Sequence, residues 1–242
     1  MSYVIRPVLL SVVHFYKALM AYSYSFDEMV RYANVCWYVR ADDVNLLVDT
    51  AIPVEVLEKR SPSPPQRIAS FKEALQRVGI TPEEVDLVIQ THLHSDHCGN
   101  TKACKNAKVV IQEDELAFAL DPHPLFRSYY APEFFQDVNF VQVRGDEEIL
   151  PGIRVIHVPG HSPGCQAVSI ETTEGNAIIS GFCAIKDMFY PPESISSVLP
   201  VIPPQIHLDS RQAYESVLKV KGLADIVIPQ HEIEFAERDR IP

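Results

Sequence analysis

The sequence predicts an α/β chain built of mixed β-sheets flanked by helices. Three observations lead there. Residues 1–50 carry strand-length runs rich in β-branched and aromatic side chains. A segment with helical spacing then precedes the apolar run VDLVIQ, and helix and strand alternate again towards the C-terminus.

Along the chain, YVIRPVLLSVV, YANVCWYVR and VNLLVDT are predicted to form a strand meander. The opening MSYVIRPVLLSVVHFYKALMA has some leader-like character. However, Lys17 interrupts the apolar run and no small-x-small cleavage pattern follows, so these residues are taken as opening strands. Their apolar character would suit the interface of a homodimer. RSPSPPQR at 60–67 excludes helix and central strand and is expected to be an exposed loop. IASFKEALQRVG has helical spacing and stops at Gly79, and Thr81-Pro82-Glu83-Glu84 has the chemistry of a short helix start. VDLVIQ and AKVVIQ are buried strands. From Glu113 to about Phe140 a helix leads into an aromatic excursion that could form a lid or pocket wall. IRVIHV, QAVSIE and NAIIS are strands, and a proline-rich stretch follows them. DSRQAYESVLKVKG is a helix capped by Asp209 and ended by Gly222, and ADIVIP is a last strand.

A chain of 242 residues is long enough to bury a substantial core. Its 21 basic and 32 acidic residues give a formal charge of -11, which disfavours nucleic acid and anionic membrane as partners and leaves a small molecule as the expected one. No apolar run approaches the roughly 20 residues that span a bilayer. The cysteines, Cys36, Cys98, Cys104, Cys165 and Cys183, are odd in number and irregular in spacing, which speaks against a disulfide framework and for a reducing, cytoplasmic location.

The chemistry concentrates in THLHSDHCGN at 91–100, which places His92, His94, Asp96 and His97 directly after a strand. Imidazole and carboxylate are preferred ligands of zinc and similar divalent ions, and about four ligands are needed. In a helix His92 and His94 would diverge, so they converge best from a strand end or loop. The same rule, a polar group directly after an apolar strand, nominates His161, His231 and Cys183. His14, His123, His157 and His207 stand alone and are assigned no role. GHSPG at 160–164 matches the nucleophile-elbow pattern G-x-S-x-G. Pro163 nevertheless lacks the N–H that the oxyanion hole would need, and a strand rather than a helix follows, so Ser162 is rejected as a nucleophile. Neither a P-loop nor a dinucleotide fingerprint is present.

LLVDTA, VDLVIQTHLHSDHCGN, IHVPGHSPG and IVIPQH, taken together, resemble the metallo-β-lactamase superfamily over nearly the whole chain. THLHSDHCGN, VVIQEDELAFA and VPGHSPGCQAVSIET are most similar to the N-acyl-homoserine lactonases. The resemblance implies one domain over 1–242, an αββα sandwich with its site at one edge between the sheets. It implies a first metal held by His92, His94 and His161, a second held by Asp96, His97 and His231, and Asp49 close behind them. Two departures stand out. Ala51 replaces a glycine of the family pattern. Phe182 stands where the family places an aspartate that bridges the two metals. Cys183, or more distantly Asp187, could substitute as ligand; the plainer reading of Cys183 is a small buried residue.

The implied activity is opening of a lactone or similar ester by metal-bound hydroxide, with Asp96 orienting the water and returning a proton to the leaving alkoxide. Two divalent ions are expected, zinc first, with iron or manganese possible. Phe182, Tyr129 and Tyr130 would shape an apolar substrate pocket, ordinary core being the plainer reading. The rival readings are a thioesterase or glyoxalase-II-like hydrolase, and a non-hydrolytic metal- or ligand-binding protein of the same fold.

Overall fold

The computed structural model describes residues 2–60 and 64–242. The strands β1 (Ile5–Tyr16), β2 (Met29–Ala41) and β3 (Val44–Val48) form the predicted antiparallel meander. β4 (Gln66–Arg67) pairs on the outer side of β1, while β5 (Leu87–Ile89), β6 (Lys108–Gln112) and β7 (Phe140–Val143) continue the sheet in parallel from β3. The second sheet joins β8 (Glu147–Leu150), β9 (Ile153–His157), β10 (Gln166–Thr172), β11 (Gly175–Ile179) and β12 (Ile226–Ile228); its first four strands are antiparallel neighbours, and β12 runs parallel to β11. The strand orders are β4-β1-β2-β3-β5-β6-β7 and β12-β11-β10-β9-β8.

Period-2 alternation builds the layers. Trp37, Val39, Leu46, Val48 and Ile89 of the first sheet meet Val155, Val168, Ile170, Ile179 and Ile228 of the second in the central core. The intervening residues of the first sheet, Cys36, Tyr38, Leu47 and Val88, face outward against α1 (Val54–Arg60) and α2 (Phe71–Arg77). Outside the second sheet, Ile156, Ala167, Ile178 and Val227 pack on α6 (Lys186–Phe189) and α8 (Ser210–Leu223). This is the expected αββα sandwich. The short helices α3 (Ser95–Cys98), α4 (Glu113–Leu120), α5 (Pro132–Phe135), α7 (Glu193–Ser196) and α9 (Ile233–Ala236) complete it.

Local chemistry explains the element ends. A reciprocal capping box starts α2, the Ser70 hydroxyl accepting from Glu73 N and the Glu73 carboxylate accepting from Ser70 N at 2.8 Å. Asp209 caps α8 through Arg211 N and Gln212 N, as its sequence predicts. That helix runs through Gly222 to Leu223 rather than ending at the glycine. Gly222 sits in open space, and the extended Ala224 makes the exit instead. Of the loop expected at 60–67, residues 61–63 lie outside the described residues; Gln66–Arg67 form β4.

Of the apolar residues near the N-terminus that suggested a dimer interface, Ile5, Val8, Leu10, Val12 and Val13 are buried in the chain's own core, whereas Val4, Tyr16 and Leu19 are exposed. All five cysteines are buried and unpaired. No helix among the described residues is long and apolar enough to cross a membrane.

Candidate metal centre

Parallel direction brings the chemistry to one edge. β3 and β5 run side by side, so Asp49 and the segment from Thr91 to His97 leave the first sheet together. β9, β11 and β12 share a direction in the second sheet, so the loops carrying His161, Gly181–Cys183 and His231 emerge at one edge. Ligands at carboxyl ends of parallel strands are the general pattern in α/β sheets. Thr91–Leu93 lie outside regular structure and His94 is extended, while Ser95–Cys98 forms the single turn α3, with His97 N donating to His94 O at 2.9 Å. The helical turn separates Asp96 and His97 from the two preceding histidines.

Two triads result. Ligand atoms of His92, His94 and His161 lie within 4.8 Å of one another, as do those of Asp96, His97 and His231. The five histidines are almost completely buried, whereas the Asp96 side chain keeps 33% of its surface exposed. Four imidazoles are gripped at Nδ1. His161 meets Ile206 O at 2.6 Å, His231 meets Ala33 O at 3.1 Å, His97 meets Asp49 Oδ2 at 2.7 Å and His92 meets Thr91 Oγ1 at 3.1 Å. Such partners fix ring orientation and leave the other nitrogen for a metal. His161 Nε2 and His92 Nε2 face each other at 3.1 Å. Among the described residues, His94 Nε2 and His97 Nε2 are buried with no hydrogen-bond partner. Buried polar atoms are seldom left so, and a divalent cation in each triad would satisfy them; the donor set therefore fits the group the fold implies.

Charge states agree. Burial pushes His161 down to about 4 and His231 down to about 3, the neighbouring His97 adding to both, and burial holds His92 and His94 well below the usual histidine range. These rings are unprotonated at neutral pH, as ligands must be. His97 is different: burial opposes its charge, but the Asp96 and Asp49 carboxylates outweigh burial and raise it. Burial alone would raise Asp96, yet the facing His97, His231 and His94 and the Tyr32 hydroxyl hold it below the carboxylate range.

Asp49 lies where the sequence predicts, fully buried behind His97. It also accepts from Thr91 N at 2.7 Å and Gln90 Nε2 at 2.9 Å. Its φ of 60° and the φ of 54° at Ala51 are left-handed, which explains why the family pattern favours glycine at position 51. The two residues expected to stand in for a bridging aspartate do not join the triads. Cys183 is buried in the cavity wall with Sγ 3.6 Å from Met20 Sδ, and burial pushes its thiol up. Asp187 pairs with Lys17 at 2.8 Å. Phe182, placed in the substrate pocket by the sequence, instead lies in the core outside the second sheet, stacked on Phe189 at 5.9 Å. The reason is alternation after Gly181, whose φ of 76° and closeness to Gln166 O turn Phe182 inward and Cys183 towards the cavity. Tyr129 lines the cavity. Tyr130 is buried beside it, its hydroxyl directed at Glu115 and its ring edge-on to His94 at 4.8 Å.

The cavity holds about 600 Å³ and opens on both triads, with Phe126, Leu57, Met20 and Ile206 in its largely apolar wall. The excursion after Glu113 supplies part of that wall, from Leu125 to Tyr129. His207, set aside from sequence, also lines the cavity, its Nδ1 donating to Pro204 O at 2.8 Å. His157 meets Pro163 O instead, and His14 and His123 are exposed. Ser162 is fully buried and donates to Glu115 Oε2 at 2.5 Å, out of reach of any substrate.

Glu115 is a residue that sequence reasoning missed. Besides Ser162 it accepts from Leu93 N at 3.0 Å and Gly164 N at 3.3 Å, so one carboxylate ties the His92–His94 loop to the His161 loop. The approach is close enough that a Cβ at Gly164 would fall 2.2 Å from Glu115 N. Tyr32, also missed, reaches Asp96 from β2. Neither carries a local pattern that marks it.

Residues 30–231 match the family model of the metallo-beta-lactamase superfamily. The chain belongs to that superfamily. An N-acyl homoserine lactonase of Bacillus thuringiensis is 26% identical over 224 residues, 85% of this chain and 84% of its own length. The lactonase of Bacillus cereus is 28% identical over 221 residues, 84% and 80% of the two chains. In structure the chain is similar to a quorum-quenching N-acyl homoserine lactone lactonase, with a TM-score of 0.79 at 24% identity, covering 98% of this chain and 95% of that one. It is also similar to an N-acyl homoserine lactone hydrolase solved with N-hexanoyl-L-homoserine at its catalytic metal centre, with a TM-score of 0.74 at 25% identity, covering 97% and 95%. This superfamily member is a metal-dependent hydrolase.

Proposed function

We propose that the chain opens a small lactone or a closely related ester, with His92, His94 and His161 holding one divalent cation and Asp96, His97 and His231 a second. The observation that carries this reading is the meeting of two buried, cation-ready triads at one mostly apolar cavity. The names of the similar lactonases support the lactone as substrate. Zinc suits a donor set of imidazoles and one carboxylate, with iron or manganese as alternatives. The bound cations would supply an acidified water and a Lewis-acidic contact to the ester carbonyl.

The chain's own residues do the rest. Asp96 is ionised and partly exposed to the cavity. It orients the attacking water, accepts its proton and returns a proton to the leaving alkoxide. The Nδ1 contacts hold His92, His97, His161 and His231 in place before substrate arrives, so little reorganisation is needed. Phe126, Tyr129, Leu57 and Ile206 exclude water and accept the apolar part of the substrate, with Leu125–Tyr129 of the excursion after Glu113 serving as part of the wall. Five unpaired, buried cysteines support a working place in a reducing compartment.

The test is a panel of lactones, linear esters and thioesters assayed with metal-loaded protein, with His94→Ala as control. The expected result is fastest turnover on a lactone, lost in His94→Ala. Preference for thioesters would replace the substrate assignment. Full activity in His94→Ala would sink the metal site itself.

A further inference from the structure

We infer that Tyr32 is a positioning residue of the second cation site, its hydroxyl holding the Asp96 carboxylate where it can share a cation with His97 and His231. This rests on the reading of the two triads as cation sites and concerns a residue outside both.

The Tyr32 hydroxyl lies 2.5 Å from Asp96 Oδ2. The same carboxylate oxygen is 3.7 Å from His97 Nε2 and 3.9 Å from His231 Nε2, so it is the oxygen turned to the other two ligands. The hydroxyl also lies 3.2 Å from His231 Nε2, but the two rings are stacked at 4.1 Å with 19° between their planes. The phenol oxygen therefore sits over the imidazole rather than in its plane. With Nδ1 donating to Ala33 O, the Nε2 lone pair lies in that plane and remains open to a cation. A tyrosine has one hydroxyl hydrogen, and the short contact to a charged acceptor takes it.

Asp96 needs such a partner more than the histidines do. It is the most exposed of the six candidate ligands, and it sits on a single helical turn. Among the described residues, Tyr32 is the hydrogen-bond donor that reaches its carboxylate. Tyr32 is itself well fixed. Phe15 packs edge-on against it at 5.3 Å, and the adjoining backbone pairs with the His231 segment, Ala33 N donating to His231 O at 3.1 Å. One side chain of the first sheet thus registers a ligand from α3 against a ligand from the second sheet. None of these contacts involves His92, His94 or His161.

Loss of a partner behind a metal ligand typically costs 10–100-fold in affinity. Tyr32→Phe removes the hydroxyl and keeps the stacked ring. Metal-free wild type and variant would be titrated with zinc against a chromophoric chelator, with thermal unfolding recorded alongside. The expected result is two binding steps in wild type, with the first unchanged in the variant and the second weaker by about 10–100-fold. In an Asp96→Asn background, adding Tyr32→Phe should produce no further loss, because the two act through one contact. Unchanged affinities, equal weakening of both steps, or additive losses in the double variant would overturn the proposal. A wild-type chain that takes up fewer than two ions would instead overturn the two-site reading beneath it.

Discussion

The two triads are neighbours built on opposite plans. His92, His94 and His161 are buried, uncharged and drawn from two loops that Glu115 ties together. Asp96, His97 and His231 carry the one carboxylate of the set, keep it partly exposed, and depend on Asp49, Ala33 and Tyr32 from the first sheet. The first is a buried set of neutral imidazoles. The second is a charged, half-open site whose ligands must be registered across both sheets. A buried set of neutral imidazoles suits retention of an ion, whereas an open carboxylate beside the cavity suits proton handling.

The comparison breaks most visibly at the ligands. His92→Ala should abolish hydrolysis and reduce binding in the first site by more than the 10–100-fold expected for a supporting residue. His231→Ala should instead cost one ion and leave the first bound; elemental analysis of both variants reads the difference. Next comes Glu115→Ala. It strands the Leu93 and Gly164 N–H groups and the Ser162 hydroxyl in the interior, for about 3 kcal/mol. Thermal unfolding should show a midpoint lower by about 6–12 °C, with the first site weakened more than the second. Asp49→Asn removes the charge behind His97, and zinc titration should show the second site weakened by about 10–100-fold with the first nearly unchanged. The smallest effect is at Ala51, where a left-handed backbone burdens a residue with a Cβ. Ala51→Gly should stabilise by about 0.5 kcal/mol, the relief of strain being partly offset by a freer unfolded chain. That corresponds to ~1–2 °C in the unfolding midpoint, with no change in ion stoichiometry.

Most strands were legible because each is an apolar run bounded by turn residues, α2 because its apolar residues keep helical spacing up to Gly79, and α8 because Asp209 is a strong cap. The short β7 and β8 were hidden in FVQVRGDEEIL, where exposed and charged residues give no clear period. Phe182 was misplaced because period 2 says that neighbours face opposite ways without saying which faces the cavity. That choice was made at Gly181, by backbone geometry. His207 was passed over because a lone histidine carries no spacing signal, although its loop also supplies the Ile206 carbonyl that grips His161.

By itself the sequence nominated the candidate ligand set: His92, His94, Asp96 and His97 crowd one strand end, and His161 and His231 each follow another. Local chemistry suffices for that, since residue type and strand-end position are written in the chain. The family resemblance already implied how the six divide into two triads; only the tertiary structure decided what holds each one. The partners behind them come from distant segments: Tyr32 is 64 positions from Asp96 and 199 from His231, and Ser162 is 47 from Glu115. Contacts of that range depend on how two sheets stack, and no local pattern encodes them.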